Sequence, residues 1–236
     1  MTQAAYGNLP AGFRSPKPVA FTATNGTTAK ILVEQIPAAN ASGSLPPYYG
    51  GGTLLDLTAT STDSSDKDVI LYVGTVLTTQ DPTNTGNITT GSQNTLTRVN
   101  GSWIADGFEV GALAMVFTAA GTAQVVTGID GLPLIVTGVT ATVLTFNGTP
   151  LAAGANVLTA GSRILAIADK ARNTVTANAG NGTVPNVCLL GNAAQDNSKV
   201  TTELKFGADN MLIAAMAGAV SALPAQVKLL PSLGRY

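Results

Sequence analysis

The chain has 236 residues, a formal net charge of −1 and no histidine, and only 11% of its residues are charged. The missing histidine removes Ser-His-Asp and Cys-His catalysis, and the small net charge provides no basic surface for nucleic acid or an anionic membrane. The single cysteine, Cys188, cannot form an intramolecular disulfide. Because Thr and Val favour strands while Gly and Asn favour tight turns, the composition predicts a mainly β protein, and its low charge indicates a surface largely covered by other subunits.

The first part of the chain, residues 1–20, is interrupted by prolines and glycines and predicts an extended N-terminal arm. The residues that follow, VAFTAT and AKILVEQI, predict short strands on either side of Asn25-Gly26. Because Asn-Gly is a strong hairpin signal, we expect a β-hairpin at this point.

The loop over residues 37–52 places adjacent tyrosines directly after adjacent prolines. Exposed aromatic side chains on a rigid, proline-rich loop are typical contact residues, whereas a loop folded back on its own core is the alternative. Together with the N-terminal arm, this loop supplies the candidate contacts with a partner or a neighbouring subunit, which are Phe13, Arg14, Pro16, Pro18, Pro46, Pro47, Tyr48 and Tyr49.

Residues 53–77 predict two strands joined by a polar turn. The second strand is apolar on both faces from Val69 to Val73, which indicates a central position in a sheet. Asp63, Asp66 and Asp68 lie in and after the turn, but their spacing does not match an EF-hand loop and no glutamate follows at the twelfth position. We therefore expect a solvated turn and no calcium site.

Two polar segments, residues 80–95 and 169–186, have the composition of linkers. Between them, short apolar runs recur at a spacing of about ten residues, which is typical of a small barrel or sandwich. Polar linkers at both ends indicate that this compact unit is inserted into the remainder of the chain, since insertions succeed at exposed loops.

The stretch NGSWIADGFEVGALAMVF, residues 100–117, stands out within this unit. Asn100-Gly101 and Asp106-Gly107 are turn signals, and the chain's single tryptophan lies between them. Since a small barrel needs bulky apolar residues in its core, we expect Trp103 and Phe108 to be buried and the stretch to be structural.

The segment over residues 209–223 predicts a short C-terminal helix. Asp209 or Asn210 is a suitable N-terminal cap, and Pro224 ends the pattern. One face of this helix carries residues with a period of about 3.6, which are Leu212, Ala215, Met216, Ala219, Val220 and Leu223.

The motifs of common catalytic and nucleotide-binding sites are missing. The sequence contains no GxxxxGK[ST] and no GxSxG, and no GxGxxG follows a strand. We therefore expect a protein that is not an enzyme and has no catalytic residue, cofactor or metal.

Two stretches resemble virion proteins of tailed bacteriophages. The first consists of GSWIADGFEVGALAMVF and the later VTGVTATVLTFNGTPLAAGANV, and it is similar to small β domains inserted in such proteins. Within residues 95–165 the matching residues are Gly101, Ser102, Trp103, Asp106, Gly107, Phe108, Val110, Gly111, Val139, Thr140, Ala141, Thr142, Leu144 and Thr145. This pattern occurs in tail tube proteins as well as in other virion parts.

The second stretch, TLLDLTATSTDSSDKDVILYVG over residues 53–74, resembles capsid decoration, or cement, proteins of tailed phages. In that family a T-S-T-D segment precedes a strand such as D-V-x-L-Y. The chain departs from the family in two ways. The AN-G segment that usually precedes the first strand appears as Thr24-Asn25-Gly26, and the predicted C-terminal helix has no counterpart.

The resemblance implies a mainly β fold with two domains. A β-sandwich, similar to a jelly roll, is expected from the discontinuous residues 21–90 and 170–236. A small β-barrel domain, residues 91–169, is expected as an insertion between two of its strands, with the arm of residues 1–20 and the short C-terminal helix completing the chain.

The implied function is that of a capsid decoration protein, which binds the outer shell and stabilises the head by bridging capsomers. Its expected partners are the major capsid protein and other copies of itself, as a dimer or trimer, with no direct nucleic acid or membrane contact. The expected location is the capsid outer surface of the virion, after assembly in the bacterial host cytoplasm. A phage tail tube or neck protein is the first alternative, and a host-surface carbohydrate-binding module is the second.

Overall fold

A computed structural model describes residues 18–24, 28–33, 52–80, 88–117, 132–151, 154, 158–175, 186–189, 204–206, 210–221 and 226–234. Regular structure in this part of the chain consists of strands, which confirms the predicted mainly β class. The strands are β1 (Val19–Thr22), β2 (Lys30–Val33), β3 (Gly52–Ser61), β4 (Lys67–Thr79), β5 (Ile88–Thr90), β6 (Thr95–Arg98), β7 (Leu113–Phe117), β8 (Leu134–Val139), β9 (Val143–Phe146), β10 (Arg163–Val175), β11 (Asn186–Leu189), β12 (Leu204–Phe206), β13 (Asn210–Met216) and β14 (Gln226–Gly234).

The strands form two antiparallel sheets. A five-stranded sheet has the order β1-β14-β3-β11, and β12 also pairs with β3. A nine-stranded sheet has the order β2-β13-β4-β10-β7-β8-β9-β6-β5. The five-stranded sheet packs on one end of the larger sheet, and the side chains between them form the sandwich core, which includes Phe21, Leu32, Leu57, Ala59, Val69, Leu71, Val73, Leu212, Ala214, Met216, Val227 and Leu229.

A second cluster is drawn from residues 88–164, and we name it the barrel core after the small barrel predicted for this part of the chain. It contains Ile88, Leu96, Trp103, Phe108, Ala114, Val116, Leu134, Val136, Leu144, Phe146, Leu151, Leu158 and Ile164. The backbone N–H of Leu158 donates to the Ile88 carbonyl oxygen over 3.0 Å, so the segment before β10 lies beside β5. Apolar residues of strands β5 to β9 therefore surround a core of their own.

Strand β5 begins inside the segment that we predicted as a linker over residues 80–95. Ile88 is fully buried, and its backbone N–H donates to Gln80 Oε1 over 3.0 Å. A strand of three residues that is mostly threonine gives almost no apolar signal, which is why the sequence indicated a linker. Strand β10 likewise continues through residues 169–175 of the other linker segment. The domain boundaries themselves stay a prediction.

The opposite face of the nine-stranded sheet carries a third cluster, the back core. It consists of Ala29, Ile70, Tyr72, Met115, Phe117, Leu165, Ile167, Met211, Ile213 and Ala215. Neighbouring residues of β4 and β13 therefore belong alternately to the sandwich core and to the back core. Both strands are buried on both faces, as predicted for β4.

The predicted C-terminal helix is wrong where the structure describes it, because Asn210–Met216 forms the strand β13. This strand pairs with β4 from Asn210↔Thr75 to Met216↔Val69. A central strand is apolar at every position, and its sequence cannot be distinguished by periodicity from a buried helix. Pairing with β4 therefore outweighs the helical propensity of Ala214 and Ala215, and the segment forms a strand.

The predicted hairpin around Asn25-Gly26 is also wrong, although both of its strands exist. Strand β1 pairs with β14 and strand β2 pairs with β13, so the connection passes from one sheet to the other. Lys30 Nζ donates to the Ala20 carbonyl oxygen and lies 5.1 Å from the centre of the Phe21 ring, which links β2 to β1 across this corner. The apolar residues of both strands reach the sandwich core from opposite sides.

Candidate contact surfaces

The predicted contact residues lie mostly outside the part of the chain that the structure describes. Pro18 is described, and it is exposed directly before β1. The remaining predicted contacts fall outside the described residues, and these are Phe13, Arg14, Pro16, Pro46, Pro47, Tyr48 and Tyr49. Their role as contacts therefore stays a prediction.

The tryptophan motif folds into a compact turn that caps the barrel core. Trp103 is fully buried and Phe108 is 3% exposed, and their ring centres lie 5.6 Å apart in an edge-to-face arrangement. The backbone N–H of Phe108 donates to the Trp103 carbonyl oxygen over 3.1 Å. Gly101 and Gly107 have positive φ angles of 84° and 96°, a conformation that glycine adopts without strain. The predicted burial of both aromatic residues is confirmed.

An ion pair between Arg98 and Asp106 stabilises this turn, and a hydrogen bond that Asp106 accepts joins the turn to β4. The guanidinium carbon of Arg98 lies 4.7 Å from the centre of the Trp103 ring, and Arg98 Nη1 forms an ion pair with Asp106 Oδ2. The same carboxylate oxygen accepts a hydrogen bond from the Thr78 hydroxyl. Because the Arg98 side chain is only 8% exposed and its charge is matched internally, the cluster holds the turn in place and offers no free charge to a ligand.

Exposed apolar side chains concentrate on the same barrel. Among the described residues, six of the seven large hydrophobic side chains that are exposed lie between residues 99 and 135. They are Val99, Ile104, Val110, Leu113, Leu132 and Ile135, and the seventh is Leu230 in β14. Single exposed hydrophobics are ordinary, whereas exposed apolar side chains that lie next to each other mark a candidate interaction surface.

Two of these exposed side chains, Leu113 and Ile135, lie next to each other because they are register partners on β7 and β8. Their chain neighbours Ala114 and Leu134 point into the barrel core, so Leu113 and Ile135 point away from it. Gly111 and Ala112 both hydrogen-bond to the backbone of Val136, over 2.8 and 2.9 Å, and this two-against-one pairing is a β-bulge.

The sheet continues beyond Ile135 as an uncharged, threonine-rich face. Thr89 and Thr97 pair across β5 and β6, with hydroxyl oxygens 2.7 Å apart, and the Thr137 hydroxyl donates to the Thr145 carbonyl oxygen over 3.4 Å. These hydroxyl groups therefore bond within the sheet. We name this surface the outer barrel face, and it consists of Leu113, Ile135, Thr137, Thr145, Thr97 and Thr89.

The polar turn between β3 and β4 differs from the solvated turn that we predicted. Ser64 and Asp66 are exposed, but Asp63 is fully buried. Burial raises the pKa of the Asp63 carboxyl, but hydrogen bonds from Ser221 and Ser65 outweigh it and lower the pKa to about 2. The Asp63 oxygens therefore accept hydrogen bonds from the protein itself.

The described part of the chain contains no group of three or more cysteine, aspartate or glutamate side chains that could hold a metal ion. Within the same residues, no helix has the length and hydropathy that a membrane span requires.

Comparison with known proteins identified no relative of this chain. No family model matches the chain, and neither a curated protein nor a solved structure matches it. The resemblance to phage virion proteins therefore stays a prediction from the two sequence motifs.

Proposed function

We propose that this chain is a capsid decoration protein of a tailed bacteriophage, which binds the outer surface of the head and bridges neighbouring capsomers without catalysing a reaction. The observation that carries the proposal is the position of the two motifs in one β architecture. The decoration-like segment, residues 53–74, falls on β3 and β4 of the sandwich. The insert-like segment, residues 101–111, forms the turn that caps the barrel core.

The surface of the barrel supports a binding function. The outer barrel face carries no charged side chain, so two copies can meet there without repulsion between like charges. Stable contacts bury on the order of 1,500 Å², and many identical contacts on a symmetrical shell combine weak affinities into strong attachment. We therefore assign the outer barrel face to contacts between neighbouring copies, and the arm and the proline-rich loop to the shell.

A tail tube or neck protein is the second candidate, since the insert motif is shared with tail proteins. A tube protein stacks into rings around a DNA channel. The carbohydrate-binding alternative has less support, because exposed aromatic rings usually carry sugar binding and the single tryptophan is fully buried.

The association state of the purified chain distinguishes the first two candidates. We would measure its mass by multi-angle light scattering and image it by negative-stain electron microscopy. A decoration protein gives a discrete dimer or trimer that does not grow with concentration. Rings or long tubes that form from the chain alone would contradict the proposal and assign the protein to the tail.

A further inference from the structure

The β3–β4 turn and residues 217–221 of the β13–β14 connection lie side by side at one end of the sandwich. The β3–β4 turn leads from the five-stranded to the nine-stranded sheet, and the β13–β14 connection leads back. The registers place them together, since Ser61 pairs with Val227 and Val69 pairs with Met216. Any bond between these connections therefore ties one sheet to the other.

The Asp63 carboxylate makes two of these bonds, both with Ser221. Its Oδ2 accepts from the Ser221 backbone N–H over 2.7 Å, and its Oδ1 accepts from the Ser221 hydroxyl over 2.9 Å. Within the turn, Oδ1 also accepts from the backbone N–H and the hydroxyl of Ser65, both over 3.0 Å. The Nζ of Lys67 lies 3.6 Å from Oδ2. One buried carboxylate thus holds both connections.

Further hydrogen bonds hold the β13–β14 connection before and after Ser221. The Ala217 N–H donates to the Asp68 carbonyl oxygen over 3.0 Å. Thr62 and Gln226 exchange two bonds of 3.0 Å, one from Thr62 N–H to the Gln226 carbonyl oxygen and one from Gln226 N–H to Thr62 Oγ1. The attachment at Asp63 lies between these two backbone attachments.

We infer that Thr62, Asp63, Ser65, Ser221 and Gln226 form an end latch, a conformational device that controls local opening of the sandwich at the entry to β14. The rest of the sandwich is held by strand pairing and by the sandwich core, which do not depend on these side chains. Loss of the latch therefore opens this end locally, ahead of global unfolding. The inference is independent of the proposed function.

The test is amide hydrogen exchange of the full chain, followed by mass spectrometry, on Asp63→Asn. Hydrogen bonds to a charged group contribute more than neutral ones, so we expect exchange in residues 217–221 to rise about tenfold or more. Peptides from β7 and β10 should keep wild-type exchange. The matched control is Asp66→Asn, which removes the same charge from an exposed position of the same turn and should leave residues 217–221 unchanged.

A milder variant keeps the test decisive if Asp63→Asn does not fold. Ser221→Ala removes the hydroxyl donor but retains the backbone donor, so it should raise exchange in residues 217–221 by a smaller factor. Equal increases throughout the chain, or an effect of Asp63→Asn no larger than that of Asp66→Asn, would overturn the latch.

Discussion

Asp63 and Asp106 show how single carboxylates organise turns in a chain with few charges. Asp106 neutralises Arg98 above the Trp103 ring and accepts a hydrogen bond from Thr78. Asp63 joins two connections at the end of the sandwich. In both cases the protein itself provides the partners, so these acidic groups serve the fold and not a ligand.

The pKa of Asp63 predicts a specific dependence of stability on pH. Its folded value of about 2 lies below the ordinary 3.8, so the unfolded chain binds the proton more readily. The stabilisation is therefore complete above about pH 4 and is lost as the pH falls towards about 2. The facing charged group is Lys67, and Asp66 is exposed in the same turn.

The test measures the free energy of unfolding of the wild type and of Asp63→Asn by chemical denaturation between neutral pH and about pH 2. The wild type should lose roughly 2 kcal/mol of its stability advantage over the variant as the pH falls to about 2, because the variant has no carboxyl to titrate at this site. Asp66→Asn, which keeps the Asp63 carboxyl, serves as the control and should retain the loss of stability as the pH falls towards about 2. A difference that is constant with pH would contradict the assigned pKa.

At the scale of elements, apolar runs bounded by turn residues were predictable as strands, including β4, which is buried on both faces. Strands β7 to β9 have short apolar runs bounded by turn residues, and the sequence indicated each of them. Strand β13, NMLIAAM, is buried on both faces and lacks any period, so only its partners β2 and β4 specify it as a strand. The pairing of β1 with β14 joins residues about two hundred positions apart, which no local turn signal reveals.

The back core predicts that the barrel and the sandwich are mechanically coupled. Phe117 of β7 belongs to the back core with Ile70 and Tyr72 of β4, whereas Phe146 belongs to the barrel core. Both phenylalanines are almost fully buried, so replacement by alanine should cost about 3–5 kcal/mol in either case.

Hydrogen exchange distinguishes the two replacements. Phe117→Ala should accelerate exchange in the amides of residues 69–73 as well as in the barrel, whereas Phe146→Ala should accelerate exchange mainly in β8 and β9. The same exchange pattern in both variants would show that the back core does not couple the two units.

The outer barrel face also gives a prediction at this scale. Ile135 is 46% exposed, so Ile135→Asp should cost about 1 kcal/mol of unfolding free energy, well below the cost of a core substitution. A charge buried without a partner between two copies is unfavourable, and we expect self-association to weaken about tenfold or more. Light scattering over a dilution series measures this.

Val99→Asp is the matched control for that variant. Val99 is 75% exposed on the same barrel, but it lies in the turn after β6 and outside the outer barrel face. The Val99→Asp variant should therefore self-associate as strongly as the wild type. Equal weakening by both variants, or by neither, would remove the outer barrel face from the contact surfaces.

At the scale of the whole molecule, one nine-stranded sheet contributes side chains to both the sandwich core and the barrel core. The mainly β class and the buried aromatic pair could be predicted from composition and turn chemistry. The candidate surface could not, because Leu113 and Ile135 are separated in sequence and become neighbours only through the pairing of β7 with β8. The contacts predicted for the N-terminal arm and the proline-rich loop stay predictions from the sequence.

The most direct test of the proposed function is binding of the purified chain to shells assembled from the major capsid protein of the same phage. Co-sedimentation over a range of chain concentrations, followed by electron microscopy of the pellet, gives the number of copies per shell and their position. A decoration protein saturates at a fixed number of copies on the outer surface. Failure to co-sediment with intact, expanded shells at any concentration would contradict the assignment.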